Sequence, residues 1–251
     1  MILYDYPLSE QVRTFLRLKA LFRRALFFME RSHPNDHHAA LGALFDILDV
    51  TARTDVKSDL MQSMERQRAS LSLLRDNINV DQASLEKTLG ELDAGIRELH
   101  AQAGKLGDIL RSHEWLMAIK QRICIPGGTS DFDLPAYHYW QSLDESVRQR
   151  ELNDWFSPYL PLHQALQVHL RLLLDSGRVQ DLTAAQGNYQ QSKLGPEVKL
   201  LRVGLKAGVS CVPEISANKY LLNIRFLEAV EASHPKVYAQ DVPFRLMLCT
   251  L

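Results

Sequence analysis

The sequence predicts an α+β fold: long antiparallel helices in an amino-terminal part, then a mostly antiparallel β-strand part. Two observations carry this. Apolar residues recur at the helical period of about 3.6 from residue 8 to residue 175, and beyond residue 198 the period drops to 2. Strands do not alternate with helices, which excludes a doubly wound parallel sheet. The chain has 251 residues, 46% of them hydrophobic and 24% charged, enough to bury one large core or two modest ones.

Residues 2–6 read as a strand stopped by Pro7, and Ser9 is placed to cap a long helix. In that helix Leu8, Phe15, Phe22, Leu26 and Met29 share one side. Arg13, Arg17, Arg24 and Arg31 fall within roughly 40° of one another on the other. This arginine stripe is either a solvated face or a contact surface. The segment Ser32–Asp36 breaks the helix, and Asn35 or Asp36 is expected to cap the next, with Leu41, Leu44, Phe45 and Leu48 inward. Leu60, Met64, Gln67, Leu71, Leu74 and Ile78 then repeat at 4-3 spacing. The spacing returns after Asn77–Asp81 as Leu85, Leu89, Leu92, Ile96, Leu99 and Leu106, giving a helical hairpin with a coiled-coil-like seam. Gln67 in that seam reads either as a register or partner device or as a tolerated polar residue.

One amphipathic helix is expected over 109–123, with Leu110, Leu116, Ile119 and Ile123 inward, ending at the sharp turn Pro126-Gly-Gly128. An aromatic-rich helix starts at Pro135, and two more cover 144–156 and 162–175. Strands are then expected around Lys199–Leu205, Tyr220–Phe226 and Phe244–Leu248, with turns at Gly208 and 216–219. The parts divide as an α-helical domain over 8–122 and a β-strand domain with central helices over 123–251, joined by strand 2–6.

Lys and Arg total 29 against 30 Asp and Glu, a net charge of −1, so no global field draws the chain to nucleic acid or an anionic membrane. Three cysteines, Cys124, Cys211 and Cys249, make neither a disulfide framework nor a C-x-x-C site, which suits a reducing cytosolic setting. The first residues lack the basic and apolar regions of a signal peptide, and the apolar run 160–174 is broken by His163, His169 and Arg171. A soluble protein is expected.

Enzyme signatures are missing from the chain. The Gly127-Gly128 pair lacks a phosphate-loop frame, and no nucleophile elbow or H-E-x-x-H occurs. His33, His37 and His38 straddle a helix start without further metal ligands nearby. Asp131 and Asp133 read better as turn or capping groups than as an acid–base pair. No catalytic residue, metal, cofactor or small-molecule substrate is expected. The dispersed basic residues instead suit an extended acidic peptide added at a sheet edge.

Tyr6-Pro-Leu-Ser-Glu-Gln-Val-Arg-Thr-Phe-Leu-Arg17, Leu48-Asp-Val50, the block Arg122 to Trp140 (RICIPGGTSDFDLPAYHYW), Asn188-Tyr-Gln190, Leu200-Leu-Arg202 and Ile224-Arg-Phe226 resemble, in order, the ZapD family of bacterial division proteins. The resemblance implies a helical domain and a β-strand domain, a symmetric homodimer, and binding of the C-terminal tail of FtsZ in a positive pocket. Filaments would thereby be crosslinked at the midcell ring in the cytoplasm. It carries a bundling role to Arg17 and His138 and a tail-pocket role to Arg53, Lys219 and Arg225. Arg202 is added from its strand position. Glu114 and Leu221 stand where relatives carry arginine, with Arg111 and Arg245 as substitutes. For His138, beside Tyr137, Tyr139 and Trp140, a packed and a contacting role both stand. The alternatives are a single-stranded nucleic-acid adaptor using the arginine stripe, or a helical scaffold for another acidic partner.

Overall fold

The structure, a computed structural model, describes residues 1–53, 55–102, 104–218, 220–229 and 236–250. The fold is α+β, and contacts group it into a helical unit, Thr14–His169, and a strand unit of Met1–Arg13 with Leu170–Leu251.

Helix α1 (Glu10–Met29) starts where Ser9 Oγ accepts from the Val12 amide at 3.3 Å. It buries Phe15, Leu18, Phe22, Ala25 and Met29, while Arg17, Lys19, Arg23 and Arg24 face solvent. Helix α2 (Pro34–Arg53) begins one residue before Asn35, so neither Asn35 nor Asp36 is its cap. Pro34 suits the first helical position, and the His33 ring accepts from the Asn35 amide at 3.1 Å instead. Helices α3 (Val56–Ser72) and α4 (Gln82–Ala101) form the expected hairpin, with Leu60, Met64, Leu85, Leu89, Leu92 and Leu99 buried. The seam does not reach the tip: Ile78 is 95% exposed, because it sits in the turn beyond Gln67, the last buried residue of α3.

The helix expected over 109–123 is two helices, α5 (Asp108–Arg111) and α6 (Glu114–Ile123). The break is local chemistry: His113 turns extended and its ring accepts from the Leu116 amide, which restarts the helix. Helices α7 (Pro135–Ser142) and α8 (Glu145–Phe156), a 3-10 turn and α9 (Leu160–Asp175) follow. All three tryptophans cluster in this unit. Tyr137 stacks on Trp140 at 5.7 Å, and Trp115 and Trp155 close the group at 5.4 Å.

Beside that cluster lies Arg148 of α8, 4% exposed. Its Nε donates to His37 Nδ1 at 2.9 Å and its Nη2 to the Ser32 carbonyl at 2.6 Å. Its Nη1 donates to the carbonyls of Gln141, at 3.1 Å, and of Leu143. His37 bonds the Arg31 carbonyl through Nε2 at 2.5 Å, so its proton is on Nε2. One guanidinium thus fastens the α1–α2 turn to the α7–α8 turn. Elsewhere Gln67 grips α9: His169 Nδ1 and Gln67 Oε1 are 2.9 Å apart, and Gln67 Nε2 donates to the His169 carbonyl at 3.2 Å. The polar seam residue therefore has its partner within the chain.

The strand unit holds two antiparallel sheets. Strands β1 (Ile2–Pro7), β2 (Arg178–Ala184), β4 (Val198–Leu205) and β7 (Val242–Thr250) lie in the order β1-β4-β7-β2. Strands β3 (Asn188–Ser192), β5 (Cys211–Ala217) and β6 (Leu221–Glu228) lie as β3-β6-β5. Their core is Leu201, Val203, Leu205, Leu222, Ile224, Phe226, Phe244 and Leu246. Ser216 and Ala217, read as turn residues, are strand residues paired with Asn223 and Leu222. Tyr220 precedes β6 and is 68% exposed rather than on its inner face.

The chain passes from β2 to β3 through Gln186 and Gly187, whose φ values of 46° and 71° suit a tight hairpin turn. A Cβ on Gly187 would lie 2.4 Å from the Tyr238 carbonyl oxygen. Gly187→Ala is therefore expected to cost about 2 kcal/mol or more, seen as a lower midpoint in denaturant unfolding followed by β-sheet circular dichroism.

Candidate functional site

Where the α2–α3 junction meets the segment between α4 and α5, the helical unit has an open cavity of about 840 Å³. Its wall is built locally. Asp55 caps α3, accepting from the Ser58 amide at 3.1 Å and Ser58 Oγ at 2.8 Å, and these bonds hold its carboxyl below the usual carboxylate range. Gly107 enters α5 with φ 81°, and a Cβ there would meet Leu48 and the Tyr159 hydroxyl at 2.4 and 2.5 Å, so only glycine brings this turn so close to the bundle. Asp108 accepts from the Lys105 amide at 3.2 Å and from Arg111 Nη1 at 2.9 Å.

Four cations line the cavity: Arg53, Lys57, Lys105 and Arg111, with His100 beside them. Lys57 Nζ donates to the neutral Gln102 carbonyl at 2.6 Å, and its charge also acts on the nearby Asp55 carboxylate. The side chains of Arg53 and Lys105 have no hydrogen bond or ion pair among the described residues. Val56, Met61 and Leu106 add an apolar wall. A cleft of this kind suits an anionic chain carrying some apolar groups.

The residues singled out in the sequence divide between the units. On the helical unit Arg17 is exposed on α1, Arg53 is in the cavity, and His138 is exposed on α7 while Tyr137 and Trp140 beside it are buried. His138 is thus open to contact rather than packed. On the strand unit, Arg225 pairs with Glu214, its cross-strand neighbour, through Nε at 2.8 Å, both side chains half exposed. Such a pair contributes at most about 1 kcal/mol and opens easily. Arg202 is different. It holds Asp5 through two bonds of 2.6 and 2.9 Å, with only 18% of its side chain exposed, and these bonds raise its pKa. It straps β1 to β4. Lys219 lies outside the described residues.

Of the two substitutes, Arg111 joins Arg53 in the cavity, and Arg245 pairs with Asp181 at 3.0 Å on the strand unit. Sequence reasoning missed Lys57, His100 and Lys105. The one available signal was Lys105 between Gly104 and Gly107, a loop signature that carries no motif.

The rings of His33, His37 and His38 are each engaged by other groups. His37 is held by Arg148 and the Arg31 carbonyl, and His38 Nδ1 lies 2.8 Å from the Tyr137 hydroxyl. Among the described residues no group of three or more possible ligands occurs, and no helix is long and apolar enough to cross a membrane.

The chain is similar over its whole length to bacterial cell division proteins. It is 45% identical to the cell division protein ZapD of Chromobacterium violaceum over 99% of each chain. It is 45% identical to that of Nitrosomonas europaea, over 100% of this chain and 96% of that one, and 43% identical to that of an Azoarcus species over 100% of both. This defines an α+β cell division protein. A family profile described as ZapD, cell division protein, matches residues 16–225, and the chain belongs to the ZapD family.

Proposed function

We propose that this chain binds the C-terminal tail of FtsZ and, as a homodimer, crosslinks and bundles FtsZ filaments at the midcell ring in the cytoplasm. It acts by binding, without a catalytic step. The observation that carries this reading is the cavity of the helical unit, where Arg53 and Arg111 stand with Lys57 and Lys105 beside an apolar wall. Arginine suits the partner, because its planar fork takes a carboxylate through two charge-assisted hydrogen bonds. Arg225 and Lys219 are a second group of tail contacts in this proposal, and Arg17 and His138 take part in bundling. One site per protomer is enough. A filament presents many tails at high local concentration, so a dimer with two modest sites holds two filaments strongly.

The test is low-speed co-sedimentation of polymerised FtsZ with this protein, beside FtsZ lacking its tail. Intact filaments are expected to pellet as bundles and tail-deleted ones to stay in the supernatant. Arg53→Glu is expected to weaken binding of a labelled tail peptide by roughly tenfold or more, since it puts a negative charge where a carboxylate docks. Intact filaments left in the supernatant at every ratio would end the proposal.

A further inference from the structure

We propose that the cavity of the helical unit also binds an oligophosphate, such as a nucleoside triphosphate or inorganic tripolyphosphate, and that this anion competes there with the acidic tail. The competition rests on the tail reading above. The anion site itself rests on the cavity alone.

The charge balance carries it. Arg53, Lys57, Lys105 and Arg111 line one cavity with two carboxylates, Asp55 and Asp108. Asp55 is turned to the amide and hydroxyl of Ser58, and Asp108 to the Lys105 amide and to Arg111. Arg111 is the one cation of the four in an ion pair with a carboxylate among the described residues. Lys57 bonds the neutral Gln102 carbonyl and acts on Asp55 through its charge alone, which leaves Arg53 and Lys105 without a counter-charge there. A small anion of several charges is the ligand that this arrangement lacks. A peptide carboxylate brings one charge per group, whereas a chain of phosphoryl groups brings several in a compact length, with many acceptor oxygens for Arg and Lys donors.

Size points the same way. About 840 Å³ is within the range of small-ligand clefts and far more than one phosphate fills. The cations come from separate segments: the end of α2, the first turn of α3, the α4–α5 segment and the end of α5. They meet only in the folded unit, around one cavity. Val56, Met61 and Leu106 offer a base or sugar an apolar rest, so the two sources of oligophosphate differ measurably.

The experiment is isothermal titration of the full-length protein with GTP, ATP and tripolyphosphate, each at matched ionic strength, with displacement of a labelled tail peptide read in parallel. One binding event per chain is expected. Lys105→Glu and Arg53→Glu should each weaken it by roughly tenfold or more, while Arg150→Glu, the same charge change on the exposed face of α8, should not. Tighter binding of the nucleotides than of tripolyphosphate assigns the apolar wall to the base, and equal binding assigns recognition to the phosphates alone; either supports the site. Peptide binding that no oligophosphate displaces beyond the effect of sodium chloride at equal ionic strength overturns the proposal and leaves the tail reading intact. Oligophosphate binding that Lys105→Glu does not weaken places the anion elsewhere and also overturns it. Oligophosphate bound at the cavity with no affinity for the tail upholds the site and removes the tail reading.

Discussion

Arg148→Ala is expected to lower the stability of the helical unit by about 4 kcal/mol. The substitution removes a buried guanidinium and strands its acceptors: the carbonyls of Ser32, Gln141 and Leu143, and His37 Nδ1. The His37 contact is buried and the three carbonyl contacts are partly buried. The full cost of about 1–3 kcal/mol for an acceptor left without a donor therefore falls on His37 and a part of it on each carbonyl, with little space for water in place of a side chain 4% exposed. Tryptophan fluorescence during urea unfolding measures this directly, since all three tryptophans, Trp115, Trp140 and Trp155, lie in the aromatic cluster of the helical unit. Arg148→Lys keeps the charge but cannot serve both turns, so it should recover only a minor part. A loss below about 1 kcal/mol for the alanine variant would show that the clamp is incidental.

Acidification is expected to cost the same unit about 2 kcal/mol by pH 5 through His169 alone. Burial, aided by the positive charge of Arg66, lowers the His169 pKa from its ordinary 6.5 to about 4. The unfolded chain takes up the proton first, so the contribution is complete above pH 6.5 and is lost as pH falls toward 4. The geometry explains the resistance: Nδ1 is committed to Gln67, while Nε2 is buried without a partner among the described residues, against the edge contact of Phe15. Burial also lowers the pKa of His37, His38 and His163, which adds loss in the same direction. Gln67→Leu with His169→Leu removes both polar partners together. Urea midpoints at pH 7.5 and pH 5 should then differ less than in the parent, and an unchanged difference would remove His169 from the account.

The helices were legible because burial on one face leaves a period: Phe15, Phe22 and Met29, or Leu85, Leu89 and Leu92, are inward as their spacing says. What escaped has weak or contrary patterning. Strand β3 is Asn-Tyr-Gln-Gln-Ser, β2 buries only Ala184, and β5 carries Pro213, so none shows clean alternation of apolar and polar residues. The break between α5 and α6 is invisible because Leu110, Leu116 and Ile119 all stay buried across it. At the site, Arg53 and Arg111 were marked in the sequence, but Lys57 and Lys105 join them only once the hairpin closes. The pairing of Arg202 with Asp5 depends on strand register, which places the two opposite each other across nearly the whole chain.

That last pairing bears on how the molecule is made. Strand β1 is completed by β4, and the entire helical unit is encoded between them. During synthesis β1 emerges early and has to wait, unpaired, while about 160 residues fold as an insertion. The strand unit therefore closes last and by long-range contacts, which makes it the slow step of folding. Until it closes, the open edge of β4 and its apolar residues Leu201, Val203 and Leu205, buried in the finished fold, are exposed to other chains. The Asp5–Arg202 strap forms only as β1 docks on β4, and so it seals the step that ends this exposure.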